Sequence, residues 1–122
     1  MKYVILIYHN ARSRDVWNAF TDAQRAAGIQ AHRQLVEDLT ESTELVLPVA
    51  LGEPSTGVRI GQRSSAVSTD GPFAESKEQL AGFYLVDCDS LARAIAIGER
   101  IPEAALGLVE VRPLLDRGGD EI

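Results

Sequence analysis

Near its amino terminus the chain carries a run, Lys2 to His9, that is rich in β-branched and aromatic side chains. Both sets of alternating positions in this run hold large apolar or aromatic residues: Tyr3, Ile5 and Ile7 in one set, and Val4, Leu6 and Tyr8 in the other. Since successive side chains of a strand point to opposite faces of a sheet, the run predicts a central strand that is covered on both faces.

Helices are indicated by caps and by apolar residues at helical spacing. Thr21 and Gln24 have the spacing of a capping box, after a short helical piece near Asp15 to Phe20. The long helix that follows has its apolar stripe at Ile29, Leu35, Val36 and Leu39. A second helix is predicted after a cap at Asp89 or Ser90, and Pro102 should stop it.

The remaining apolar runs predict further strands. They lie at Glu44 to Ala50, where Pro48 indicates an edge or a bulge, at Val58 to Ile60, Arg63 to Thr69, Gly82 to Asp87 and Leu106 to Leu114. This order favours an α+β fold, with a ferredoxin-like antiparallel sheet and two helices on one face. Because the first strand is apolar on both faces, we expect a second subunit to cover the other face, which predicts a homodimer.

Length and composition place the chain among small single-domain proteins. Its 122 residues, 45% of them hydrophobic, predict one domain over residues 1–116 and a loose, Gly-rich tail over 117–122. The apolar stretch at the amino terminus is too short to span a membrane and lacks the order of a secretory signal. Cys88 is the single cysteine, which fits a reducing compartment, so we expect a cytoplasmic protein.

The charge distribution narrows the possible partners. A formal net charge of −6, with basic residues spread along the chain, disfavours binding to nucleic acid. A basic amphipathic helix is missing, which argues against a membrane surface as partner. The sequence also lacks a dinucleotide fingerprint, a P-loop, a nucleophile elbow and any metal-ligand spacing of His and Cys. We therefore expect a small-molecule ligand and predict no cofactor and no metal.

One segment resembles a family signature. The chain from Thr69 to Tyr84 reads TDGPFAESKEQLAGFY, and this run resembles the signature of the DGPF branch of YCII-related proteins. The opening Met1-Lys2-Tyr3 and the segment Gly107 to Pro113 also look like that family. The resemblance implies a ferredoxin-like dimer with a barrel-like assembly. It also implies an enzyme with a His and acidic pair in a cleft, and an occasional link to extracytoplasmic-function sigma factors.

His32 is the most informative single residue for chemistry. It lies three residues after Ile29 and three before Leu35, which places it on the buried stripe of the long helix and points it toward the sheet. Gly28 lies one turn earlier, so the ring should cover a spot that has no side chain, where it can line a pocket. An imidazole in such a place suits a general acid or base if a carboxylate holds its other nitrogen.

That carboxylate must come from another element, because no acidic residue lies three or four positions from His32. The candidates are Glu44, Asp70 and Glu110, and we favour Asp70 because it lies in the motif at the end of a predicted strand. The unit Asp70 to Phe73 also has a complete architectural explanation as a capped turn anchored by the aromatic ring. Asp70 can serve both purposes.

Two cations are candidates for substrate binding. Arg112 shares a strand face with Glu110, where it can form either an ion pair or an anion clamp, and Lys77 follows the motif at the mouth of the expected cleft. We therefore predict a cofactor-independent isomerase, lyase or hydrolase that uses His32 and Asp70 on a small molecule. The alternative is a non-catalytic module that binds a metabolite or a sigma factor.

Overall fold

A computed structural model of the chain describes residues 1–61 and 77–122. The helices of this part are α1 (Ala11–Ala19), α2 (Asp22–Glu41) and α3 (Leu91–Glu99), with short 3-10 helices at Pro54–Thr56 and Pro102–Leu106. The strands are β1 (Lys2–His9), β2 (Leu45–Ala50), β3 (Gln79–Asp87) and β4 (Val109–Pro113).

The four strands form one antiparallel sheet in the order β2-β3-β1-β4, so the α+β class is confirmed. β1 pairs with both β3 and β4 and lies inside the sheet, in agreement with its apolar content on both faces. β2 is an edge strand, which is where Pro48, with no N–H to donate, disturbs the ladder least.

Caps predicted from the sequence define the helix starts. Thr21 caps α2 and forms a reciprocal capping box with Gln24, and the Ser90 side chain accepts a hydrogen bond from the backbone N–H of Arg93 at the start of α3. α1 is longer than the predicted piece and begins at a capping box between Asn10 and Ser13.

The core lies between the sheet and the two helices α2 and α3. Strand residues Tyr3, Ile5 and Ile7 are buried with Leu35 and Leu39 of α2 and with Ala94 and Ile97 of α3. We call this side of the sheet the covered face. The opposite side, which we call the open face, carries Val4, Leu6, Tyr8, Phe83 and Leu85, all of them partly exposed.

The predicted strand Val58 to Ile60 is wrong. This segment pairs with no strand among the described residues, and Val58 and Ile60 are 85% and 96% exposed. Gly57 and Gly61 flank it, and because no described strand lies beside this short run, an extended conformation gains no ladder hydrogen bonds from the described residues. The other half of the predicted hairpin, Arg63 to Thr69, lies outside the described residues.

The carboxyl-terminal residues turn back on the chain. Asp116 accepts hydrogen bonds from the backbone N–H groups of Gly118 and Asp120, and the Ile122 N–H donates to the carbonyl of Leu114.

Among the described residues, no helix has the length and the apolar content that crossing a bilayer requires.

Candidate functional site

The imidazole of His32 lies between a phenol and a carboxylate. Its Nδ1 is 2.7 Å from the hydroxyl oxygen of Tyr84, and its Nε2 is 3.2 Å from both carboxylate oxygens of Glu103. The rings of His32 and Tyr84 are nearly parallel, at 26°, with centroids 6.1 Å apart. We call these three residues the His32 cluster.

Three separate elements position the His32 cluster. His32 comes from α2, Tyr84 from the middle of β3 and Glu103 from the 3-10 helix Pro102–Leu106. The stripe of α2 that buries Leu35 and Leu39 also turns His32 toward the covered face, as its helical spacing predicts. The imidazole remains 30% exposed and the Glu103 side chain 20% exposed, so solvent reaches the cluster from outside the core.

The spot beside Gly28 is already occupied. A Cβ atom at Gly28 would lie 3.7 Å from the ring of Trp17, so the indole of α1 packs where the helix lacks a side chain. The predicted gap one turn before His32 is therefore a contact between α1 and α2.

The 3-10 helix that carries Glu103 is defined by its ends. Pro102 occupies its first turn, where a missing N–H costs nothing, and Gly107 ends it with a φ of 71°, in the left-handed region that favours glycine. Glu103 is thereby held close to α2 immediately after α3 ends.

Glu103 is ionised more readily than an ordinary glutamate. Burial of its carboxyl group is the largest single influence and opposes ionisation, but the hydrogen bonds and charges around Glu103, those of His32 foremost, together lower its pKa. The backbone N–H of Glu103 and the charge of His9, at the end of β1, lower this pKa further. Tyr84 behaves in the opposite way: burial and the nearby Glu103 carboxylate raise the pKa of its hydroxyl.

Two of the three carboxylates predicted as partners of His32, Glu44 and Glu110, are hydrogen-bonded to other residues. Glu44 accepts two hydrogen bonds from Arg93, at 2.9 and 2.8 Å, and one from Ser42. Glu110 accepts one from the Tyr8 hydroxyl at 3.0 Å, on the open face. Asp70 lies outside the described residues. The inference that the partner must come from another element agrees with the position of Glu103.

The structure does not bring the two candidate cations to the His32 cluster. Arg112 pairs in register with Val4 and projects from β4 on the open face, on the same side as Glu110. Among the described residues, no carboxylate forms an ion pair with its guanidinium. Lys77 is exposed just before β3.

Beside the Tyr8–Glu110 pair lies a surface recess of about 400 Å³, lined by Tyr8, Glu78, Gly107, Val109 and Glu110.

In residues 1–61 and 77–122, no group of three or more His, Cys, Asp and Glu is arranged to hold a metal ion. The free thiol of Cys88 is buried, and burial raises its pKa. The His32 cluster brings a phenol, an imidazole and a carboxylate into one chain of contacts, an arrangement suited to proton transfer.

Tyr84 and Glu103 were not found by sequence reasoning. Strand alternation in β3 puts Tyr84 on the same buried side as Val86, and a buried phenol requires a hydrogen-bond partner, which is a signal for Tyr84. Glu103 has no such signal. A Pro-Glu pair at the start of a helical turn has a complete local explanation, and 71 residues separate Glu103 from His32.

Comparison with known proteins finds a family match and a similar protein that each cover most of the chain. A family model described as the YCII-related domain matches residues 1–117. The chain is also similar to an uncharacterized protein of Rhizobium meliloti (strain 1021), at 35% identity over 119 residues, which is 93% of this chain and 92% of that protein. The chain therefore belongs to the YCII-related family, as the motif around Asp70 indicated.

Proposed function

We propose that this protein is a cofactor-independent enzyme that performs acid–base chemistry on a small molecule, with His32 as the group that exchanges protons. The observation that carries the proposal is the placement of one imidazole between a phenol, at 2.7 Å, and a carboxylate, at 3.2 Å. Histidine is the side chain most used for general acid–base catalysis, and a carboxylate on its second nitrogen orients the ring and stabilises the imidazolium.

The reaction classes that this arrangement suits are isomerisation, elimination and hydrolysis, which need a proton to be moved but no electron carrier. The folded protein already orients His32, because its hydrogen-bond partner Tyr84 is 6% exposed and is held in place by the pairing of β3. The imidazole of His32 therefore loses no rotational freedom when a substrate binds.

A deuterium-exchange screen tests the proposal. Purified protein is incubated in D₂O with a panel of small keto acids, lactones and thioesters, and proton NMR follows both exchange and product formation. We expect turnover of at least one compound, and His32→Gln should lower it by about 10²- to 10⁴-fold. Arg33→Gln is the matched control, because Arg33 is the next residue of α2 and is exposed. Absence of turnover across the panel, or full activity in His32→Gln, would contradict the proposal.

Asp70 stays in the proposal as a second carboxylate of the same site, supported by the motif alone. If it assists His32, Asp70→Asn should lower turnover, while Asp120→Asn in the carboxyl-terminal turn should not. We propose Lys77 and Arg112 as binding groups for anionic ligands. For Arg112 the support is its position on the open face without an ion pair among the described residues.

A second candidate function is a non-catalytic module that binds a metabolite or a sigma factor. One observation favours it: both ring nitrogens of His32 already have partners within the protein. In that case His32→Ala should lower stability or ligand affinity, and no compound of the panel should be turned over by the wild-type protein. Affinity capture from cells that returns a sigma factor would favour this candidate.

We also propose a homodimer in which two open faces meet, giving the barrel-like assembly of two ferredoxin-like sheets. Support comes from the partly exposed apolar residues of that face, with Leu47 of β2 48% exposed beside them. Light scattering at micromolar concentration tests this: a species of twice 13.2 kDa is expected, and a species of 13.2 kDa alone would rule it out.

A cytoplasmic location is part of the proposal and is supported by the free thiol of Cys88. Cell fractionation with an antibody against the protein tests it, and recovery outside the cytoplasmic fraction would contradict it.

A further inference from the structure

The hydrogen bonds of the His32 cluster fix where its protons lie. An ionised carboxylate can only accept, so Nε2, which faces both oxygens of Glu103 at 3.2 Å, must carry a hydrogen. In a neutral imidazole the other nitrogen is then an acceptor. Nδ1, 2.7 Å from the Tyr84 oxygen, therefore accepts the tyrosine O–H, and its lone pair is occupied.

This arrangement leaves His32 without a free basic atom. The proton that Nδ1 can gain in this arrangement is the Tyr84 hydrogen itself. The Tyr84 oxygen donates to Nδ1 and accepts no hydrogen bond from the described residues, so its lone pairs are the unused acceptor next to the imidazole. Among the groups in contact with His32, this oxygen alone is both free to accept and linked to the basic nitrogen.

We propose that Tyr84 is a catalytic residue and that His32 acts through it, as the middle member of a Tyr84–His32–Glu103 proton relay. In the forward step the substrate, a carbon or oxygen acid, gives its proton to the Tyr84 oxygen while the tyrosine hydrogen moves to Nδ1 of His32. The substrate becomes an anion and His32 becomes an imidazolium paired with Glu103. The reverse transfer returns a proton to the product and restores all three groups.

The relay rests on the proposed function but makes a claim of its own, which is that His32 is the Nε2–H tautomer. Nitrogen-15 NMR on histidine-labelled protein in the neutral form of the ring tests this directly. We expect one protonated nitrogen, Nε2, and a hydrogen-bonded acceptor at Nδ1. In Tyr84→Phe the tautomer should stay the same, and the Nδ1 resonance should move to that of a free acceptor. A wild-type ring protonated at Nδ1 would overturn the relay.

Exchange activity gives the second readout. Tyr84→Phe should lower the turnover found in the panel about 100-fold or more. The double variant with His32→Gln should be no slower than the slower of the two single variants, because the residues act as one unit. Tyr3→Phe is the matched control, since Tyr3 is also buried on the covered face and donates only to the sulfur of Met1 at 3.7 Å.

The outcomes separate the two claims. If the wild-type protein and Tyr84→Phe are equally active, the relay is wrong while acid–base catalysis by the protein stands. If the wild-type protein turns over nothing, the proposed function fails, and with it Tyr84 as a catalytic residue. In that case the nitrogen spectra still decide whether the hydrogen bonds have the assigned direction.

Discussion

The covered face and the open face of the sheet each hold a tyrosine whose hydroxyl is hydrogen-bonded to an ionisable side chain. On the covered face Tyr84 meets His32 at 2.7 Å, and Tyr84 is 6% exposed. On the open face Tyr8 meets Glu110 at 3.0 Å, and that hydrogen bond is exposed to solvent. The two pairs use similar groups but lie in different surroundings.

The difference lies in what happens when one partner is removed. In a part-buried place the remaining polar group loses both its partner and most of its water, whereas in an exposed place water replaces the partner. On the covered face each ring nitrogen of His32 has a partner, because Glu103 contacts Nε2 and Tyr84 contacts Nδ1, so the three side chains form one hydrogen-bonded network. The open-face pair does not need a third member.

The largest expected effect is a difference in the free energy of unfolding between truncations of apolar residues on the two faces. Ile5 is completely buried, so Ile5→Ala should lower the free energy of unfolding by about 3–4 kcal/mol, measured by urea denaturation. Leu6, its neighbour on the open face, is partly exposed, and Leu6→Ala should cost about 1 kcal/mol in a monomer. If two open faces meet, the cost of Leu6→Ala should rise with protein concentration.

The next largest effect on the free energy of unfolding should come from removing the tyrosine hydroxyl on each face. Tyr84→Phe leaves Nδ1 of His32 without its donor in a part-buried place, and we expect a loss of about 1–2 kcal/mol in the free energy of unfolding. In a monomer Tyr8→Phe should change it by less than about 0.5 kcal/mol, because Glu110 is exposed. Thermal and urea denaturation of both variants measure the difference, and equal losses would show that the two faces do not differ.

The acid dependence of stability should depend on Glu103. Its pKa is lower in the folded protein, so its contribution is present above the unfolded value of about 4.3 and is lost as the pH falls through the folded value. Glu103→Gln should therefore be about 1 kcal/mol less stable than wild type at pH 7, and the two should converge at low pH. Glu110→Gln is the matched control, and a loss at pH 7 as large as that of Glu103→Gln would contradict the assignment.

The smallest expected effect is on the tyrosine titrations. Burial is the largest cause of the raised pKa of both Tyr84 and Tyr8, with Glu103 acting on the first and Glu110 on the second. Glu110→Gln should lower the pKa of Tyr8, because the charge is removed and the hydrogen bond to a carboxylate becomes a weaker one to an amide oxygen. Glu103→Gln should lower the pKa of Tyr84 less, because only a charge at a distance is removed. Ultraviolet difference absorbance follows both, and the reverse order would contradict this reading.

Much of the fold could be predicted because its signals are local. The alternation in β1, the Thr21–Gln24 capping box and the Ser90 cap each depend on residues a few positions apart, and each appears in the structure. The strand predicted at Val58 to Ile60 is wrong because β-propensity describes a fit to neighbouring strands, and no strand of the described residues lies beside this segment.

The candidate site was predictable only in part, for the same reason. His32 was identified from the stripe of its own helix, but its partners lie 52 and 71 residues away, on β3 and on the 3-10 helix Pro102–Leu106. Only the tertiary arrangement brings the three side chains together. Helical spacing could exclude a partner within α2, but it could not choose among the carboxylates of the other elements.

The position of β1 in the sheet has a consequence for how the chain folds. β1 is made before its two neighbours, β3 and β4, which come from residues 79–87 and 109–113. Both pairings must close long loops before any contact compensates for the lost chain entropy, which slows folding. During synthesis β1 therefore waits without its partners, and in this interval its apolar side chains and unpaired edges are open to aggregation.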